Sequence, residues 1–220
     1  MTEIESFLLN GSYRVVGVTG NAGAGKSTLA RNLPSDKFIS YGIDGRFVGD
    51  SQFRKRLLKA KAESSIHAYI DACNQFNWWD WDSVIRDVAA LAGDQPVDLE
   101  AYDRDKGSFG AASLVPNGRR VICEGALLGP EAITQLLDVI IFVYTPISVR
   151  LERLLSKDAG RRSVTEIVSR FLITEYSERL YYEHLFDSER EKMYFVNGEG
   201  TFIPCPQDVL SRESFIPLPL

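Results

Sequence analysis

Cysteine is scarce in this chain, with Cys73, Cys123 and Cys205 the only three among 220 residues. An odd count without close spacing argues against a disulfide framework or a zinc site. Cys123 lies in an apolar, strand-like run and reads as a small core residue. A basic excess is also missing. The formal net charge is -5, which gives neither nucleic acid nor an anionic membrane a general electrostatic foothold. A cluster of cations, if it has a function, must therefore be a local site. No apolar run approaches the length that spans a bilayer, and Met1–Glu5 has neither the basic start nor the apolar core of a secretory signal. There is no internal repeat and no low-complexity tract. These absences predict a reduced, cytoplasmic, soluble protein without nucleic-acid or membrane partners. Monomer and homo-oligomer both stay open. What is present in bulk is ordinary. Hydrophobic residues make up 45%, enough at this length for one domain with a sizeable core.

One segment is far from ordinary. Gly20-Asn21-Ala22-Gly23-Ala24-Gly25-Lys26-Ser27 fills every fixed position of the G-x-x-x-x-G-K-[ST] phosphate loop, and Thr28 follows it. The apolar run Tyr13–Val18 precedes it as a strand, and Ser27–Leu33 follows as a helix start, which is the context the motif requires. Glycines let successive backbone N–H groups turn inward around phosphate oxygens. The helix N-terminus adds donors and the positive end of its dipole. Lys26 is expected to reach the β- and γ-phosphates and Ser27 to hold Mg2+. The chain is thus predicted to bind a nucleoside triphosphate.

The remaining pattern alternates strand and helix signals. Strands are predicted at 37–41, 119–123, 139–144 and 192–196. Helices are predicted within 51–76 and at 81–91, 148–156 and 164–185. Residues 107–118, rich in Gly, Ser and Pro, read as a surface loop. The tail 201–220 holds four of the nine prolines and reads as irregular. Interleaved strands and helices predict one α/β domain over 1–220. Its core is a parallel sheet of about five strands covered by helices on both faces. In such sheets ligands bind beyond the carboxyl ends of the strands, where the phosphate loop, Asp44 and Glu124 all fall.

Asp44 could accept the proton of an attacking hydroxyl, or it could make a turn or cap the next helix. Glu124, ending an apolar strand, could hold Mg2+ through water or orient the hydroxyl, or simply begin a helix on the surface. Arg150, Arg153 and Lys157 share one helix side, Asp158-Ala159-Gly160 breaks that helix, and Arg161-Arg162 follow. Alone this is a solvated charged face. Beside a phosphate loop it reads as a short helical lid around 150–165, delivering cations to a transferring phosphoryl group. Trp78-Trp79-Asp80-Trp81-Asp82 could wall a flat ring and bind its hydroxyls, or bury a helix start that Asp80 or Asp82 caps.

Taken together these pieces resemble the uridine kinase, phosphoribulokinase, bacterial pantothenate kinase and nicotinamide riboside kinase group of P-loop kinases, over about Val15–Leu185. The resemblance rests on the phosphate loop, Ile43-Asp44-Gly45, Trp79-Asp80-Trp81, Ala101-Tyr102-Asp103, Val121–Gly125, Lys157-Asp158 and Arg161-Arg162. It implies Asp44 as catalytic base and Asp80 as ligand of substrate hydroxyls. Tyr102 would line the acceptor pocket with Trp79, Arg46 and Arg153. Glu124 would serve the Mg2+ site with Ser27, Lys157 would sit near the nucleotide, and Arg161 or Arg162 would act from the lid. Departures fall on the acceptor side. Arg46-Phe47 stands where an aromatic pair or His is common, and Glu100-Ala101 where Pro is common. The implied activity is ATP- and Mg2+-dependent phosphorylation of a hydroxyl on a small metabolite, a nucleoside among the candidates. The rival is a nucleotide-binding regulator with weak or no kinase activity. A switch GTPase is excluded, since the chain has no Asn-Lys-x-Asp motif and no D-x-x-G after the third strand.

Overall fold

The computed structural model describes residues 1–73, 75–103 and 108–206, with the backbone alone described at 51, 54, 70, 73, 75, 101–103, 177 and 180. Helix α1 (Glu3–Asn10) leads into β1 (Val15–Thr19), the phosphate loop and α2 (Lys26–Asn32). Strand β2 (Phe38–Gly42) runs into a 3-10 turn, Ile43–Arg46. Then come α3 (Ser51–Ser64), α4 (Ile66–Cys73), a second 3-10 turn at Gln75–Trp78 and α5 (Trp81–Ala92). A hairpin of β3 (Val97–Asp103) and β4 (Ser108–Leu114) precedes β5 (Arg120–Glu124), α6 (Glu131–Thr134) and β6 (Val139–Tyr144). The chain closes with α7 (Ile147–Asp158), α8 (Val164–Ser188), a 3-10 turn at Arg190–Lys192 and β7 (Met193–Asn197).

Strands β2-β5-β1-β6-β7 form one sheet in that order, and every pairing is parallel. The sequence of the central strands explains this. Val-Val-Gly-Val-Thr in β1 and Val-Ile-Ile-Phe-Val in β6 are wholly buried, because a parallel sheet is covered on both faces and has no side for polar alternation. The two faces draw alternate residues. Val15, Val121, Cys123, Ile140 and Phe142 pack with α5 and α8, whereas Val16, Val18, Ile122, Ile141 and Val143 pack with α1 and α2. Removing the bulk of any such side chain is expected to cost about 2–5 kcal/mol.

The five predicted sheet strands and the predicted helices are all present, within about three residues at their ends. The prediction fails at residues 107–118. Ser108–Leu114 is a strand, paired antiparallel with β3 from Val97↔Leu114 to Asp103↔Ser108. Its Gly and Ser content suits a two-stranded ribbon that is largely exposed, where little side-chain burial is required. Helix α1 was not anticipated. It is nucleated by a capping box at Thr2 and Glu5, and buries Ile4 and Leu8. Of the tail predicted to be irregular, Phe202 bridges back to Val196; residues 207–220 lie outside those described.

Register positions the site. Gly42 of β2 and Val18 of β1 both lie opposite Glu124 of β5. The chain therefore leaves these three strands in one row, and the phosphate loop, the Asp44 turn and Glu124 share one edge of the sheet.

Candidate active site

The phosphate loop is held by its own backbone. Gly20, Gly23 and Gly25 have φ of 141°, 81° and 105°, all in the region that disfavours a side chain. At Gly20 a Cβ would also collide with the Val143 carbonyl oxygen. No side chain caps α2 at Gly25, so the helix start keeps its anion-binding character. The Lys26 ammonium folds back over the loop, donating to the Gly20 carbonyl at 2.7 Å and the Asn21 carbonyl at 3.1 Å. Burial pulls Lys26 below its ordinary value, against the fields of Glu178, Glu124 and Asp44. Three carboxylates from three different segments thus act on one ammonium: Asp44 and Glu124 from aligned strand ends and Glu178 from α8.

The Ser27 hydroxyl donates to Glu124 Oε2 at 3.0 Å. Burial raises the Glu124 carboxyl above its usual range, opposed by Lys26 and by the Ser27 hydrogen bond. A hydroxyl and a carboxylate side by side next to a phosphate loop fit Mg2+, which prefers oxygen ligands and needs only one or two from the protein. Among the described residues no cluster of three or more His, Cys, Asp or Glu side chains forms a metal cage. Asp44 lies exposed in the 3-10 turn after β2, and Asp50, not Asp44, caps α3. Its field reaches both Lys26 and Glu124.

The outer wall of the loop comes from residues that the sequence reading did not single out. Glu178, in α8, is completely buried and accepts hydrogen bonds from Asn21 Nδ2 at 3.1 Å and the Ala22 N–H at 3.3 Å. Burial pushes its carboxyl up to about 7. Thr145, just past β6, donates its hydroxyl to the Ala24 carbonyl at 2.9 Å. The signal for Glu178 was in the pattern. Ile167, Phe171, Glu178, Tyr182 and Leu185 lie on the buried stripe of α8, and an acid on such a stripe needs a polar partner.

The five cations grouped as a lid divide. Arg150 is buried and makes a bidentate pair with Glu175, and it donates to the Thr145 carbonyl at 2.9 Å and the Ala22 carbonyl at 3.4 Å. It braces the loop and does not share an open face with Arg153 and Lys157. Arg153, expected on the acceptor, donates to the Gly23 carbonyl at 3.2 Å. Arg162 pairs with Asp158 and, at 3.3 Å, with Glu166. Lys157 and Arg161 are exposed at the end of α7 and in the turn after it.

On the acceptor side, Arg46 is bound bidentately by the buried Asp87, at 2.6 and 2.9 Å, and Tyr41 donates to the same carboxylate at 2.9 Å. Asp80 caps α5, accepting from the Ser83 N–H at 3.1 Å and the Ser83 hydroxyl at 2.6 Å. These bonds hold its carboxyl below the usual range. Trp79 is buried against Phe47 and Trp81, at ring separations of 5.1 and 5.4 Å, and its indole N–H meets no acceptor among the described residues. Tyr102 stands opposite Phe109 in the hairpin; its side chain lies outside what is described. A hollow of about 570 Å³ opens beside Arg46, walled by Asp98, Glu100 and Ala112.

A doubly covered parallel sheet with a glycine phosphate loop after its central strand, and carboxylates at neighbouring strand ends, defines a P-loop kinase domain. Comparison with known proteins agrees. Residues 15–174 match the Phosphoribulokinase / Uridine kinase family, and the chain belongs to that family. It is 27% identical over 166 residues to a uridine kinase of Streptococcus gordonii, covering 72% of this chain and 74% of that one. It is 26% identical over 180 residues to a uridine kinase of Streptococcus pyogenes, covering 80% and 83%. A solved structure described as a fructose transport system kinase, from Silicibacter sp., superposes with a TM-score of 0.56 at 20% identity, over 77% of this chain and 88% of that one. That likeness concerns the fold alone. Among the described residues no helix is long and apolar enough to cross a membrane.

Proposed function

We propose that this protein is an ATP- and Mg2+-dependent phosphotransferase acting on a hydroxyl of a small metabolite, with a nucleoside as the favoured acceptor. The observation that carries the reading is the meeting of Lys26, Asp44 and Glu124 at one sheet edge, both carboxylates within the electrostatic reach of the ammonium. The loop amides and Lys26 bind the β- and γ-phosphates. Ser27, and Glu124 through water, would hold Mg2+, which would supply charge neutralisation to those phosphate oxygens. Asp44 accepts the acceptor's hydroxyl proton as its oxygen bonds to the γ-phosphorus and the bond to the β,γ-bridging oxygen breaks, leaving ADP. Arg161 or Arg162, from the lid around 150–165, covers the moving group, with Lys157 near the nucleotide. Asp80 and the buried indole N–H of Trp79 are the polar groups assigned to the acceptor, with Tyr102 and the aromatic wall of Phe47 around it. The uridine kinases among the relatives support a nucleoside.

The test is ADP formation from ATP across a panel of nucleosides, vitamins and sugar alcohols, with Asp44→Asn alongside. One acceptor class should stimulate turnover. Asp44→Asn should lower that turnover by about 10²–10⁴-fold, with nucleotide affinity nearly unchanged. Undiminished transfer in the variant removes Asp44 from the chemistry. A second reading, a nucleotide-binding regulator, draws on the way Arg46 and Asp80 are engaged by Asp87 and Ser83. It wins if no acceptor stimulates ADP formation while nucleotide still binds.

A further inference from the structure

A phosphate loop works only if its N–H groups face the ligand, and a glycine-rich stretch does not guarantee that by itself. A trans peptide unit sends its C=O and its N–H to opposite sides. A carbonyl held on the outside of the loop therefore aims the next residue's N–H at the inside. Two peptide units are held this way. The Ala24 carbonyl accepts the Thr145 hydroxyl at 2.9 Å, which turns the Gly25 N–H away from Thr145. The Ala22 carbonyl accepts from Arg150 Nη1 at 3.4 Å, which turns the Gly23 N–H away from α7. The N–H groups between them are already engaged, Ala22 with Glu178 and Ala24 with the Asn21 carbonyl at 3.1 Å. Gly23 and Gly25 N–H meet no acceptor among the described residues. The two anchors form one unit. Arg150 Nε donates to the Thr145 carbonyl at 2.9 Å, Glu175 grips the same guanidinium bidentately, and the Phe171 ring lies 5.5 Å from it. Thr145 and Arg150 are both buried. Between them Gly23 comes so close to α7 that a Cβ would sit 3.0 Å from the Arg150 carbonyl oxygen.

We propose that Thr145 and Arg150 are positioning residues for phosphoryl transfer: by holding the Ala24 and Ala22 carbonyls outward, they aim the Gly25 and Gly23 N–H groups at the phosphate chain of a nucleotide. This rests on the reading of the loop as a nucleotide site. Both residues act through the backbone. Donors fixed before the ligand arrives need no reordering when it binds. Without the Thr145 hydroxyl, the Ala24 carbonyl is a buried acceptor with no partner, and its peptide unit is free to rotate. Rotation carries the carbonyl oxygen inward, where it repels phosphate, and takes the Gly25 N–H out of reach.

The experiment is calorimetric titration of the full chain with MgADP, comparing the wild type with Thr145→Val and Thr145→Ser. Valine keeps the branched shape and loses the donor, whereas serine keeps the donor. The Val variant should show a Kd raised about tenfold, the effect of losing one hydrogen bond whose acceptor stays buried. The Ser variant should return close to the wild-type Kd. A merely structural role would lower the number of competent sites in the titration and leave the Kd of the remainder unchanged. A Val variant with the wild-type Kd overturns the proposal, and so does a Ser variant as weak as Val. If the Val variant fails to fold, the wild type decides by NMR of glycine-labelled protein. The Gly23 and Gly25 amide protons should move downfield on adding MgADP, as N–H groups that gain a charged acceptor do, and unmoved signals overturn the proposal. Absence of MgADP binding to the wild type instead overturns the nucleotide reading, and the inference falls with it.

Discussion

The two halves of the site are built on different principles. On the donor side geometry is held by backbone: three positive-φ glycines, a helix start, and carbonyls of residues 20–24 that accept from Lys26, Arg150, Arg153 and Thr145. On the acceptor side it is held by side chains gripping one another, Arg46 with Asp87 and Asp80 with Ser83. A backbone-built cradle is specified by a short stretch of sequence and suits a ligand part that never varies, the phosphate chain. Side-chain pairs can be exchanged one at a time, so the same frame can take different acceptors. The departures from the family pattern, Arg46-Phe47 and Glu100-Ala101, fall on that exchangeable half.

The comparison breaks most sharply at Gly20. Gly20→Ala forces a side chain at φ 141° against the Val143 carbonyl oxygen. Strain and overpacking together should cost about 4 kcal/mol of stability and abolish nucleotide binding. Chemical denaturation and a nucleotide titration read the two effects. A variant that binds nucleotide normally would mean the cradle tolerates side chains, and the contrast with the acceptor half disappears.

Next in size is Asp87→Ala. It leaves the Arg46 guanidinium without its bidentate partner and the buried Tyr41 hydroxyl without an acceptor. Breaking such a pair from one side should cost about 3 kcal/mol, read as a fall in the denaturation midpoint. Nucleotide affinity should hold, since none of these groups touches the loop. A matching loss of nucleotide affinity would show that the two halves are one cooperative unit.

The same contrast explains what could be read from the sequence. The loop was legible because each of its constraints is local: glycine at fixed positions, Lys26 and Ser27 after them, an apolar strand before. The sheet was legible because parallel strands are continuous apolar runs. Arg150 misled, because helical spacing gives the side it shares with Arg153 and Lys157 but cannot tell which of them meets Glu175 on α8. The strand at 108–114 was hidden by Gly and Ser, whose turn propensity is strong and whose pairing with β3 is a tertiary fact. Glu178 escaped because an acid on an apolar stripe signals a polar partner without saying which segment supplies it.

The finest distinction concerns Asp80, an acceptor-side residue with two candidate roles. Its carboxylate caps α5 through Ser83, and losing a cap costs about 1 kcal/mol. Asp80→Ala should therefore lower stability by about that much. If the carboxylate also holds an acceptor hydroxyl, the KM for the acceptor should rise about tenfold or more, since a hydrogen bond to a charged group contributes about 1.5–3 kcal/mol. Asp80→Ser separates the two, because a serine hydroxyl caps a helix nearly as well as a carboxylate does but has neither its charge nor its reach. We expect the Ser variant to regain the stability and keep the raised KM. A Ser variant with wild-type KM would make Asp80 a cap and nothing more, and would leave the Trp79 indole N–H as the acceptor-side polar group still to be tested.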